Sequence, residues 1–148
     1  MIIIRLGNAF GRGQTAKTGQ EFVAAGSARV LSDLEVTQYD QEGTIRDYIQ
    51  VRELARGITS ARERGHPRCC CNMGTGVGKS NLDLLKTVES LATIHGHCIE
   101  PRVAEKCGFD VPTTILDNAR LREGLGWKPL IPFERRIEQM WNFLASAQ

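Results

Sequence analysis

The segment 68–92 constrains the fold of this chain more than any other. Arg68 to Met73 reads as a strand, Gly74-Thr75-Gly76-Val77-Gly78 as a tight loop, and the residues after it as a helix. Ser80 stands at the N-cap position with Asp83 three residues on, the spacing of a capping box. Leu82, Leu85, Val88, Leu91 and Ala92 then fall on one stripe at helical spacing. A strand that turns through glycines into a capped helix is the repeating unit of α/β proteins. Lys79 reads as a solvated residue of the first helical turn.

The loop also comes near two phosphate cradles and matches neither. A nucleotide-binding P-loop requires a glycine five residues before Gly78, so that successive N–H groups wrap the phosphates. That position holds Met73. The dinucleotide fingerprint needs a third glycine at 79, where Lys79 stands. A small P-loop-like NTP-binding protein using Gly74 to Ser80 is the rival reading, favoured by the strand before the loop and the helix N-terminus after it. It lacks an apolar strand ending in a magnesium-binding aspartate, for which Thr113 to Asp117 is a poor candidate.

Elsewhere the pattern alternates strand and helix. Ile2 to Leu6 is β-branched and almost continuously apolar, as in a strand of a parallel sheet, and Gly7, Gly11 and Gly13 open a loop. A helical pattern runs through Phe22, Ala25, Arg29 and Val30; Leu34 to Tyr39 reads as a strand and residues 40–43 as a turn. Ile45 to Val51 is extended and leads into a helix with Leu54, Ala55, Ile58 and Ala61 on one face, stopping at Gly65. A further helix opens at Asp117 or Asn118 and ends by Gly126. Pro132 suits the first turn of the last helix, which buries Phe133, Ile137, Met140, Trp141 and Leu144. Trp127 and Trp141 read as core anchors.

Composition excludes several classes. The 148 residues suit one domain, and 41% apolar with 24% charged residues is an ordinary folded balance. A net charge of +2 gives no electrostatic case for nucleic acid. No apolar run is long enough to span a membrane, and Ile2-Ile3-Ile4-Arg5-Leu6 has no signal-peptide form, so a cytoplasmic location is expected. Five cysteines without Cys-x-x-Cys spacing suggest neither a disulfide framework nor zinc. Cys69, Cys70 and Cys71 are adjacent and so alternate across any strand. His95, His97 and Cys98, and His66 with Cys69, match no metal-ligand spacing, so buried reduced thiols and no metal are expected.

Four separated blocks resemble the C-terminal half of the NAD-dependent sugar-nucleotide epimerases and dehydratases, which are extended short-chain dehydrogenase/reductase enzymes, and above all their UDP-sugar 4-epimerases. The blocks are Arg5-Leu6-Gly7-Asn8-Ala9-Phe10-Gly11, Gly43-Thr44-Ile45-Arg46-Asp47-Tyr48-Ile49-Gln50-Val51, Asn72 to Ser80 with the helix through Leu85, and Leu125-Gly126-Trp127-Lys128-Pro129. Their order and spacing cover nearly the whole chain.

The resemblance implies that residues 1–148 form the substrate-binding part of such a fold. Residues 1–11 would be a residual Rossmann strand and loop, the last of the Rossmann sheet, and the rest the small C-terminal α/β domain. It implies a UDP-sugar as ligand and NAD as cofactor. Arg46 matches the family arginine on the diphosphate, and Asn8 the asparagine whose amide donates to the same group. Tyr39 precedes the base-binding edge, where a ring could stack on uracil. Lys106 is the single basic residue where the family often carries a second arginine.

Each of these residues also has a plainer reading: Arg46 with Asp47 as a surface ion pair, Asn8 as a turn residue, Tyr39 as packing. The catalytic parts of the family are missing, since Tyr48 is followed four residues on by Arg52 and Tyr39 by Gly43, not by lysine. No glycine fingerprint follows the first strand. The chain alone is therefore expected not to epimerise, and its apolar first strand to favour self-association or a complementing N-terminal half.

Overall fold

The computed structural model describes residues 1–14, 22–39, 43–104 and 111–147, apart from the side chains of Phe22 and Tyr39. Residues 40–42 of the turn expected at 40–43 and the candidate Lys106 lie outside the described residues. The chain adopts the α/β fold expected of it. It opens with strands β1 (Ile3–Leu6) and β2 (Asn8–Phe10), helix α1 (Phe22–Leu31) and strand β3 (Val36–Tyr39). Strands β4 (Ile45–Arg46) and β5 (Tyr48–Gln50), helix α2 (Val51–Arg64), strands β6 (Cys70–Met73) and β7 (Lys79–Ser80) and helix α3 (Asn81–Ile94) come next. Strands β8 (Pro101–Ala104) and β9 (Thr113–Thr114) and helices α4 (Ala119–Leu125) and α5 (Phe133–Ala145) follow.

β1 pairs with β6, β2 with β5 and β3 with β8, all in parallel, which requires the long connections that the helices supply. β4 lies between β7, antiparallel to it, and β9, parallel to it. Two apolar clusters support these strands. One joins α1, α3 and α5 through Val23, Val30, Leu84, Val88, Ile137 and Trp141; the other joins α2, α4 and β6 through Leu54, Met73, Leu121 and Trp127.

The capping box forms as expected. Ser80 Oγ accepts the Asp83 N–H at 3.0 Å, and the Asp83 carboxylate accepts the Ser80 N–H at 2.9 Å. The Ser80 backbone donor, followed by its side chain after the opposing effect of burial, holds the Asp83 carboxyl below its ordinary range. Leu85, Val88 and Ala92 are buried, with Leu84 taking the inward place expected of the half-buried Leu82. In α5, Phe133, Ile137, Met140 and Trp141 are buried together with Arg136, and Leu144 packs at the margin.

The inward face of α2 differs from its apolar pattern. Leu54 and Ala61 are buried, but Ala55 is exposed and Ile58 is 46% exposed, while Glu53 and Gly57 point inward. Glu53 turns in because its carboxylate has partners there: the backbone N–H groups of Leu130 and Ile131, at 2.7 and 2.8 Å, and the Arg56 guanidinium. Gly57 turns in because Met73 and Trp127 occupy the place of a side chain; a Cβ would lie 2.7 Å from Met73 Sδ and 2.9 Å from Trp127 Nε1.

Candidate functional site

The segment from Thr44 to Tyr48 is fixed from every side, and this fixes what it displays. Asn81 donates from Nδ2 to Thr44 Oγ1 at 3.1 Å and accepts the Tyr48 hydroxyl at 2.7 Å. The buried Arg136 donates to the Tyr48 carbonyl at 2.6 Å. Burial pulls the Arg136 guanidinium below its ordinary pKa, opposed by the charges of Glu53 and Asp47. The Asp47 carbonyl accepts the Asn8 N–H at 2.7 Å, joining β2 to the start of β5.

Arg46 stays half-buried at the centre of the three-stranded sheet. Its Nη1 donates to the carbonyls of Ile45 and Val111 at 2.9 and 2.7 Å, and among the described residues no carboxylate forms an ion pair with it. The ion pair between Arg46 and Asp47 suggested by their adjacency does not form, because Asp47 faces the opposite way into the fold, at 1% exposure. Lys79 lies directly across from Arg46 on β7, and Thr114 beside it on β9. Residues in register share a face, so two cations and a hydroxyl form a row. The Lys79 ammonium rests 5.1 Å from the centre of the Phe133 ring. Lys79 is thus a strand residue of this row, not the solvated helix residue its sequence context suggests.

The glycine loop is turned inward onto a carboxylate. Asp47 Oδ1 accepts the Thr75 N–H and hydroxyl at 2.7 and 2.6 Å, and Oδ2 the Gly76 N–H at 3.0 Å. Asn118 Nδ2 adds a bond to the Gly74 carbonyl at 3.0 Å. Gly74 has no side chain because a Cβ would strike the Asp47 carboxylate. The amides that a phosphate would need are therefore spent on a fixed negative charge, and the N-terminus of α3 is satisfied by its own capping box. This geometry removes the physical basis of the NTP-binding reading.

The other candidates are placed unequally. Asn8 is exposed on β2, in register with Tyr48, two residues along from Arg46. Tyr39 ends β3, its backbone paired with Ala104 in a different sheet from Arg46. Lys106 is outside the described residues. Asp47, Glu53 and Lys79 were not among the sequence candidates.

The model of the NAD dependent epimerase/dehydratase family matches residues 1–74. The chain belongs to that family. It is 30% identical to the UDP-glucose 4-epimerase of Mus musculus over 125 residues, 82% of this chain and 35% of that protein. It is 28% identical to the UDP-glucose 4-epimerase of Bacillus subtilis over 161 residues, 97% of this chain and 47% of that protein. The crystal structure of the Thermotoga maritima UDP-glucose 4-epimerase with UDP-glucose superposes with a TM-score of 0.90 at 26% identity, over 99% of this chain and 46% of that one. The Thermus thermophilus enzyme in complex with NAD gives 0.86 at 29% identity, over 99% and 47%. The chain spans about half the length, or less, of the curated relatives it matches.

The glycine loop of this family member does not fit NAD. The loop that most resembles a dinucleotide cradle has its Thr75 and Gly76 amides bound to Asp47, and a cofactor phosphate placed there would meet a buried carboxylate. Among the described residues no helix is long and apolar enough to cross a membrane.

Proposed function

We propose that this chain is the substrate-binding part of a UDP-sugar 4-epimerase-like protein and holds the diphosphate of a UDP-sugar at Arg46. The observation that carries the reading is the row of Arg46, Lys79 and Thr114, in which neither cation forms an ion pair among the described residues. Like charges directly opposed across two strands repel, and an anion bridging them relieves that repulsion. A guanidinium offers a planar fork suited to two phosphate oxygens, with Lys79 as a compact second charge. Asn8, exposed on the neighbouring strand, is assigned as an amide donor to the same group. Tyr39 and Lys106 are assigned as peripheral contacts to the base and the second phosphate. The glycine loop does not fit the cofactor, and the chain by itself is proposed to bind without epimerising.

Affinity measured for UDP and for uridine separates the diphosphate contribution. Wild-type chain should prefer UDP, and Arg46→Ala should abolish most of that preference, a loss of about tenfold or more. An Arg46→Ala chain that keeps the full preference would overturn the assignment. So would interconversion of UDP-glucose and UDP-galactose by the purified chain with added NAD, as regards inactivity alone.

A further inference from the structure

The three consecutive cysteines play no part in the nucleotide reading, yet two of them are brought together. Cys69 and Cys71 lie on one side of the extended run that enters β6, and their Sγ atoms stand 3.2 Å apart. Cys70 alternates to the other side. Two strand steps set the Cα separation of such a pair at about 6.4–6.8 Å, at the upper end of the roughly 4.4–6.8 Å that disulfides span. A bridge needs the two sulfurs to close by little more than an ångström.

We propose that Cys69 and Cys71 form a dithiol oxidation site that closes to a reversible intrastrand disulfide when a peroxide is the oxidant. Cys69, the less buried of the two, reacts first. Its thiolate attacks one peroxide oxygen, the O–O bond breaks, and a sulfenic acid and hydroxide are formed, the hydroxide becoming water with the proton that the Cys69 thiol gave up. The Cys71 sulfur then attacks the Cys69 sulfur, forming the S–S bond, while the sulfenic oxygen leaves as water with the Cys71 proton. Two electrons pass from the sulfurs to the peroxide, which ends as two waters. Burial, followed by the contact with Cys69, pushes the Cys71 thiol up to about 11, so it is a poor first target and a well-placed second one. A bridge at the edge of the allowed geometry is strained and hence readily reduced by small thiols. Cys71 pairs with Ile4, and β6 runs directly into the loop fixed by Asp47, so closure bears on the strand that carries that loop.

The test uses the full chain with Cys98→Ser and Cys107→Ser, treated with hydrogen peroxide near stoichiometry. Cleavage after Arg68 and Lys79 places all three cysteines in one peptide. The proposal expects loss of two hydrogens from that peptide, with Cys70 alone open to alkylation and all three thiols recovered with dithiothreitol. Phenylarsine oxide should bind once per reduced chain and fail to bind the oxidised one. Cys70→Ser should behave like the parent, and Cys69→Ser should lose both reactions. A bridge involving Cys70, a bridge between chains, or Cys69 oxidised to sulfinic acid with Cys71 still free would overturn the proposal. The mapping on unsubstituted 69–71 decides this even if a variant folds poorly.

Discussion

One oxygen of Asp47 accepts both the backbone N–H and the hydroxyl of Thr75, at 2.7 and 2.6 Å, across 28 residues of sequence. The other takes the N–H groups of Gly76 and Leu116, at 3.0 and 3.3 Å. A single buried carboxylate thus ties β5, the glycine loop and the approach to α4 together, and it stands next to Arg46. Asp47→Asn keeps the shape but puts an amide N–H against backbone donors. It should cost about 1.5–3 kcal/mol, read as a lowered urea midpoint. An unchanged midpoint would show that the carboxylate is not what closes the loop.

Glu53 should give the chain an acid-sensitive limb. Burial raises its pKa, but the Arg56 bond and the Leu130 and Ile131 N–H groups together outweigh burial, and the net value lies below the ordinary one. A depressed folded value contributes stability above the unfolded pKa of about 4.3, and this is lost as pH falls through the folded value. Glu53→Gln should therefore flatten the fall in Tm between about pH 6 and pH 3. Parallel curves for the two proteins would contradict this origin of the limb.

Two helical glycines should respond to alanine in opposite directions. At Gly57 the new Cβ would meet Met73 Sδ at 2.7 Å, so overpacking of about 1–3 kcal/mol exceeds the usual helix gain. At Gly124 nothing lies within 4 Å, and the ordinary gain of about 0.5–1 kcal/mol should appear. Thermal unfolding of both variants checks the contrast, and stabilisation by Gly57→Ala would refute the close approach of Trp127 and Met73.

β1 pairs only with β6 among the described residues, and its Ile3 and Leu6 are 48% and 49% exposed. An open, apolar strand edge is a template for pairing. Sedimentation should show association that rises with concentration and weakens in an Ile3→Lys, Leu6→Lys chain. A wild-type monomer over the same range would contradict the prediction.

Local chemistry was legible in the sequence, and distant pairing was not. Ser80 and Asp83 form their cap because every group involved lies within four residues. Phe133, Ile137, Met140 and Trp141 were readable for the same reason, as one apolar stripe of α5. The strand at Leu34 to Tyr39 shortened to Val36–Tyr39, an ordinary boundary difference. Glu53 was not readable, because its backbone partners Leu130 and Ile131 are 77 and 78 residues away. Asp47 was seen only as a neighbour of Arg46, since nothing local reveals that its acceptors serve Thr75 and Gly76. Lys79 reads as helical because Ser80 caps a helix, yet β7 needs only two residues and periodicity cannot resolve so short a strand.

The most direct measurement is a calorimetric titration of the folded chain with UDP-glucose and, separately, with Mg-ATP, repeated on Arg46→Ala and Lys79→Ala. Saturable UDP-glucose binding that Arg46→Ala removes and Lys79→Ala weakens is expected, with no response to ATP. ATP binding that depends on Lys79 and ignores Arg46, or no UDP-glucose binding by a folded chain, would contradict it.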